Sequence, residues 1–435
     1  MPPAVPFLID DDARSMLDEL QHDTFRYFLH EADAGSGLVL DSTAPGSHAS
    51  IAVVGLALSS YPVGVERGFL TRDEAAARTA ATLRFFWNAP QGPEHDAAGH
   101  RGFFYHFLEM RTGRRAWECE LSTMDSALFF AGALTAAAYF DGGAAVEREI
   151  RSLAEALYLR ADWKWACDGG ETVTHGWKPG SGFLRYRWGG YSEALLLYVL
   201  GLGSPTFPLA RESYRAFTST YSWKEIYGIG LLYAGPLFVH QFPHLWIDFR
   251  GIRDAFMRER RIDYFENSRR AAFVQQRYAV RNPKRFKGYG GHCWGITAGE
   301  GPGPATRRVG GVTRRFFDYR ARGVPYGPDD GTLAPWAAVA SLPFAPEIVV
   351  PTIRHLERVH ADTKSAYGFL GSFNPTFPAR AGRGWIAPRY LGLNEGPIVL
   401  MIENHRTGLL WRLTKRCGHL VAGLRRAGFR EGWLG

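Results

Sequence analysis

Cysteine is scarce and scattered. Cys119, Cys167, Cys293 and Cys417 lie far apart and form no C-x-x-C pair. That spacing excludes a dense disulfide framework and a zinc motif of the usual kind. Long apolar runs are missing too, and none reaches the roughly 20 residues that a membrane-spanning helix requires. The opening "MPPAVPFLID" has neither the basic nor the apolar segment of a signal peptide. A cytoplasmic protein is therefore expected, or a periplasmic one from which a signal was removed. Concentrated charge is absent: the net +8 is spread along the chain, and its densest clusters, "RERR" at 258–261 and "RRAGFR" at 425–430, read as solvated helix faces. No nucleic-acid partner is expected. "GIGLLYAG" at 228–235 lacks the third glycine and the strand-turn-helix setting of a dinucleotide fingerprint. No calcium loop of the D-x-[DN]-x-[DN]-G type occurs, so neither a cofactor nor a metal is expected. Alternating strand patterns are nearly absent, as are low-complexity linkers and breaks in composition. Residues 1–435 read as one domain.

What the chain has instead is helical periodicity. Apolar residues make up 46% and charged residues 22%, the balance of a soluble globular protein with a large core. Stripes such as Leu17, Leu20, Phe25 and Phe28, or Leu128, Ala131, Leu134 and Ala138, recur at helical spacing. Helices are expected over 10–33, 49–63, 71–88, 122–141, 145–160, 190–202, 208–219, 235–258, 261–281, 333–343, 346–360, 394–412 and 415–428. Between them run four segments rich in Gly, Pro and aromatics: 89–121, 161–188, 282–332 and 361–393. Compact domains rarely keep loops of that length unless the loops bind or catalyse. About a dozen paired helices, with long loops on one side of alternate members, describe an all-α toroid, an (α/α)6 barrel whose loops form the active-site face. A two-domain helical bundle is the alternative architecture.

Acids recur at the ends of these loops. Asp41 stands in "GLVLDST", Asp125 in "ELSTMDSALFFAGAL", Glu193 in "WGGYSEALLLYVLGLG", Asp329 and Asp330 in "PYGPDDGTLAP", and Glu395 in "LGLNEGP". Each alone reads equally well as a helix cap or first-turn acid, and Ser192 with Glu193 would make such an N-terminus. Together they would ring one mouth of the toroid, with Asp41, Asp125, Glu193 and Asp330 lining one cavity. Paired carboxylates beside aromatic loops are what glycosidic cleavage needs, one protonating the leaving oxygen and another activating water or attacking carbon. Glu193 is the expected catalytic carboxylate, its pKa raised towards that of a general acid by the apolar helix behind it, with Asp125 or Asp330 completing the acid and base; the sequence does not assign which carboxylate is which. Trp188, Tyr191, Trp294 and Trp385 are candidate platforms for sugar rings, although packing of the loops on one another would use the same residues. His106, His244 and Arg250 are candidate partners for sugar hydroxyls. His240 and His244 have a metal-like spacing, but Pro243 interrupts the turn between them.

The stretches "GFFYHFLEMRTG", "ELSTMDSALFFAGAL", "WGGYSEALLLYVLGLGSPTFP", "FVHQFPHLWIDFRGIRD", "GYGGHCWGITAGEGP", "DDGTLAPWAAVASLPFAPE" and "GPIVLMIENHRTGLLW", in this order, resemble the bacterial glucoamylase-like family. That family includes endo-β-1,2-glucanases and exo-enzymes that release sophorose from β-1,2-glucans. The resemblance implies an (α/α)6 barrel and a glucan or glucooligosaccharide substrate. Related transglycosylating domains carry a glutamate directly after W-G-I-S, whereas "CWGITAG" places Ala298 there and Glu300 two residues later. Hydrolysis with inversion is therefore expected. A transglycosylase of the same fold and a non-catalytic glucan-binding protein are the alternatives.

Overall fold

The computed structural model describes residues 9–379 and 384–435. Helix is the main regular structure, and the chain divides into two compact units. The larger comprises Tyr27–Tyr221, Pro243–Asp263 and Thr407–Gly435; the smaller comprises Met1–Arg26, Ser222–Phe242 and Tyr264–Arg406.

Three helices of the larger unit, Ile51–Glu66, Thr123–Tyr139 and Leu195–Gly203, are buried along nearly their whole length. Their sequences are apolar on every side, the pattern of a helix surrounded by protein. Glycine sets how closely the first two approach. A Cβ on Gly55 would lie 2.4 Å from the Leu128 carbonyl oxygen, and one on Gly132 would lie 2.1 Å from the Gly55 carbonyl oxygen. The backbones touch where both residues lack a side chain. Helices Arg72–Asn88, Ala145–Leu159 and Gly418–Arg426 bury one face only. Tyr158, on the buried face of the second, donates its hydroxyl to the Leu200 carbonyl at 2.7 Å. A capping box, Thr71 with Glu74, starts the helix at Arg72.

Strands are more numerous than the sequence suggests. Gly99–His100, Phe103–Tyr105, Leu121–Ser122, Gly176–Lys178 and Gly182–Phe183 form a five-stranded antiparallel sheet in that order. Elements of two or three residues are too short to show alternation, so 89–121 and 161–188 read as loops.

In the smaller unit, Asp11–Phe25 packs on Gly392–Arg406, with Gln21 Nε2 donating to the Val399 carbonyl at 3.0 Å. Tyr264–Arg281 and Pro346–Val359 are the other long helices. Hairpins join Trp223–Ile226 to Ile229–Leu232 and Ala305–Val309 to Val312–Phe316. The helix expected over 235–258 does not form. Leu237–His240 and Phe242–Leu245 are short 3-10 turns, and only Ala255–Arg260 is α-helical there. Pro236 and Pro243 supply no backbone donor, so an apolar run that imitates helix composition cannot propagate as one. Among the described residues no helix is long and apolar enough to cross a membrane.

Candidate active site

Strand register assembles an acid cluster in the larger unit. Phe104 pairs with Ser122 and Tyr105 with Leu121, so the next residues out, His106 and Glu120, stand side by side. The His106 N–H donates to the Glu120 carbonyl at 2.9 Å. The imidazole lies with Nδ1 2.8 Å from Glu120 Oε1 and Nε2 3.7 Å from Asp125 Oδ2. Its ring stacks on Phe107 with centroids 4.0 Å apart. Burial disfavours a charged ring here, but Asp125, Glu120 and Asp41 outweigh it and raise the His106 pKa to about 9. His106 is therefore an imidazolium at neutral pH. Burial pushes the Glu120 carboxyl upward, and the hydrogen bond and charge of His106 overcome that, leaving it below the usual range.

Asp125 enters through the helix that begins at Thr123. Ser122 is the N-cap: its hydroxyl oxygen accepts the Asp125 N–H at 3.1 Å, and its hydroxyl hydrogen bonds the Asp125 carboxylate. The cap is thus Ser122, and the Asp125 side chain meets Ser122 and His106. Asp41 follows a bridge between Leu40 and Ala49, and the Ala49–Ser50 strand pairs with Phe107–Leu108. That second pairing brings Asp41 within electrostatic reach of His106.

Glu193 stands in the turn before Leu195–Gly203. The alternative reading, a helix cap at Ser192, is not realised: its buried hydroxyl has no partner, and Ala194 occupies the N-cap position. Burial raises the Glu193 carboxyl to about 7; its own backbone N–H opposes that in part, and the negative charge of Asp125 adds a smaller upward push. The turn depends on Gly190, whose φ of +79° suits glycine and whose N–H donates to the Phe217 carbonyl at 2.8 Å. Trp188 stacks on His175 at 3.8 Å and donates Nε1 to Thr123 Oγ1 at 3.1 Å, linking the Glu193 turn to the helix of Asp125. Tyr191 lies edge-on to Tyr221 at 5.7 Å.

Two further candidates of the larger unit sit in its packing. His244 is buried, with its ring against Phe249 at 4.8 Å and its carbonyl accepting Trp411 Nε1 at 2.7 Å. Arg250 binds Asp248 through two bonds of 2.7 and 2.9 Å, and its guanidinium lies 4.5 Å over the Trp411 ring. Lys415 reaches the same carboxylate at 2.6 Å.

The remaining candidates belong to the smaller unit. Asp330 is fully buried against Arg322, at 2.7 and 3.0 Å, and also accepts the N–H groups of Phe317 and Thr332. Burial works against its charge, but Arg322 holds its carboxyl below the usual range. Asp329 accepts the hydroxyls of Tyr278 at 2.8 Å and Tyr289 at 2.6 Å. Trp294 is buried, and Trp385 is half-buried in a strand opposite Asn374. Glu300 binds Arg389 Nε at 2.7 Å, with its second oxygen buried and unpartnered. Glu395 is completely buried with neither carboxyl oxygen bonded, and that burial raises it far above the ordinary value.

The structure thus brings Asp41, His106, Asp125 and Glu193 into one electrostatic group. It adds two residues that the sequence reading passed over. Glu120 was visible as the first letter of "ELSTMD", two residues before the cap. Trp117, 61% exposed, holds its ring against His48 at 4.3 Å and Phe107 at 5.2 Å, and no periodic signal marks it.

The model of the Glycoamylase family, described as "Putative glucoamylase", matches residues 185–418. An exo beta-1,2-glucooligosaccharide sophorohydrolase (non-reducing end) of Parabacteroides distasonis is 28% identical, over 92% of this chain. The chain spans a little over half, 56%, of that curated relative. A crystal structure of a protein from Bacteroides uniformis, bearing the same description as the family, has a TM-score of 0.86 at 31% identity, covering 99% of this chain and 100% of that one. The endo-beta-1,2-glucanase of Chitinophaga pinensis, solved with sophorotriose and glucose, has a TM-score of 0.85 at 25% identity, covering 98% and 100%.

Proposed function

The chain belongs to the Glycoamylase family, and from that membership we propose that it is a glycoside hydrolase acting on β-1,2-linked glucan or glucooligosaccharides. The single domain of residues 1–435 is an (α/α)6 barrel in this reading, which the alternation of wholly buried and one-sided helices in the larger unit supports. The observation that carries the chemistry is the Glu193 carboxyl, raised to about 7 beside the Asp125 charge. An acid in that range holds a proton at neutral pH and yields it readily, as a general acid must.

In the mechanism, Glu193 protonates the glycosidic oxygen as the C–O bond breaks. Asp125 takes a proton from the water that attacks the anomeric carbon on the opposite face. The oxocarbenium-like transition state gains from the surrounding carboxylates, while His106 holds Asp125 and Glu120 in place. Ala298 in "CWGITAG" removes the glutamate that related transglycosylases carry, which favours inversion, with carboxylates spaced about 6.5–9.5 Å apart to admit the water. Asp330 is the second candidate for the base, but its carboxylate is committed to Arg322. Trp188, Tyr191 and Trp117 offer apolar faces to pyranose rings.

Incubation with β-1,2-glucan, followed by thin-layer chromatography and by NMR of the first-formed anomer, tests the proposal. Shorter sugars released with the α configuration are expected. Cyclic or lengthened products would establish transglycosylation instead, and an unchanged glucan would leave only binding.

A further inference from the structure

In the smaller unit, three metal-ligating side chains meet that no linear motif connects. Cys293 closes a tight turn in which Gly290 and Cys293 exchange backbone bonds of 3.1 and 3.2 Å, and Gln276 Nε2 fixes the turn through the Gly291 carbonyl at 2.7 Å. Its side chain is buried. His355 lies on helix Pro346–Val359, and His360 follows its last turn. Five residues apart, the two histidines would diverge on a continuing helix. The chain leaves helical geometry at His360, with φ −125° and ψ 41°, and the rings return to 5.8 Å between centroids. One ligand atom from each of Cys293, His355 and His360 then lies within 4.8 Å of the other two. His292, exposed on the same turn, has its ring 6.4 Å from that of His355 and is the nearest fourth imidazole.

We propose that Cys293, His355 and His360 form a binding site for a zinc-like divalent transition-metal ion, with His292 or water as the fourth ligand. One thiolate and two imidazoles suit borderline ions such as Zn²⁺ or Co²⁺ and disfavour Ca²⁺ and Mg²⁺, which take oxygen ligands. Zn–S bonds of about 2.3 Å and Zn–N bonds of about 2.0–2.1 Å set tetrahedral ligand atoms about 3.5 Å apart. Side-chain movement of about 1 Å closes the site from the observed spread. Binding replaces the thiol proton with the metal and releases that proton to solvent. The ion would tie the 290–300 segment, which leads to the Glu300–Arg389 pair, to the end of the Pro346–Val359 helix. Its role is a structural clamp, so it should act on stability and not on turnover.

The experiment uses the full chain, stripped with EDTA and titrated with Co²⁺, then with Zn²⁺. One equivalent of Co²⁺ should produce a thiolate-to-metal charge-transfer band, and Zn²⁺ should displace it, release about one proton and raise Tm. Cys293→Ser should abolish the band. His355→Gln with His360→Gln, both on half-buried positions, should weaken binding roughly 10–100-fold or more while circular dichroism is unchanged. Turnover of β-1,2-glucan should be the same before and after EDTA. Absence of the band in the parent protein, a band that survives Cys293→Ser, or equal affinity in the double histidine variant would overturn the site. Failure of glucan hydrolysis would bear on the proposed activity alone, because the cobalt spectrum reads the site independently of it.

Discussion

Glu193 and Asp330 occupy the same kind of place in the sequence, an acid closing a long glycine-rich segment before an apolar stretch. In the folded protein their surroundings differ completely. Glu193, in the larger unit, is half-buried with no cation against it among the described residues, and desolvation lifts its carboxyl to about 7. Asp330, in the smaller unit, is almost completely buried against Arg322, and its carboxyl falls below the ordinary value. Burial pushes both groups upward; at Glu193 nothing of opposite charge cancels that push, whereas at Asp330 the Arg322 guanidinium reverses it. An acid of the first kind is available for proton transfer, and one of the second kind is committed to holding a loop.

The sharpest way to break this contrast is to neutralise each acid in turn. Glu193→Gln keeps the shape but cannot deliver a proton, so turnover of β-1,2-glucan should drop about 10²–10⁴-fold with Tm nearly unchanged. Near-normal turnover with a lowered Tm would make Glu193 a packing residue. Asp330→Asn should do the reverse. It leaves Arg322 buried without its counter-charge, at a cost of about 3–5 kcal/mol, read as a lower midpoint in urea unfolding. If Asp330→Asn were instead fully stable and inactive, the base would be Asp330 and the assignment to Asp125 would fall.

Titration separates the same two groups with opposite slopes. The raised Glu193 keeps its proton in the folded state up to about 7, whereas its ordinary value is 4.5. Stability from this group is full below 4.5 and is lost as pH rises through about 7, and kcat/KM should fall over the upper part of that window. Asp330 contributes stability above its ordinary 3.8, and that contribution is lost as pH falls through its lowered folded value. A kcat/KM profile flat to pH 9 would remove Glu193 from the acid role. The smallest effect is expected at Ser122→Ala, which deletes the N-cap beneath Asp125. A loss of about 1 kcal/mol in stability should result. Turnover lost out of proportion to that would show that Ser122 orients the Asp125 carboxylate.

Much of the acid cluster was legible because an acid that ends a loop is readable against the apolar run that follows it. Asp41, Asp125 and Glu193 stood out in that way. Glu120 did not, since its importance comes from lying across a strand pair from His106, and two-residue strands leave no period to read. The alternative of a Ser192 cap could not be dismissed from sequence for a related reason: cap residues are common just before helices, and only the backbone path shows that Ala194 takes the position. The grouping of Cys293 with His355 and His360 had no sequence signature, because 62 residues of chain separate the first two.

By itself the sequence determined the helical class, the family and the pairing of carboxylates with aromatic loops, since apolar periodicity and ordered motifs are properties of composition along the chain. Only the tertiary structure decided which acid is raised and which is lowered. A pKa depends on burial and on charges brought close by folding: desolvation lifts Glu193, with Asp125 adding to it from 68 residues away, and Arg322 reaches Asp330 through a turn of the chain and lowers it.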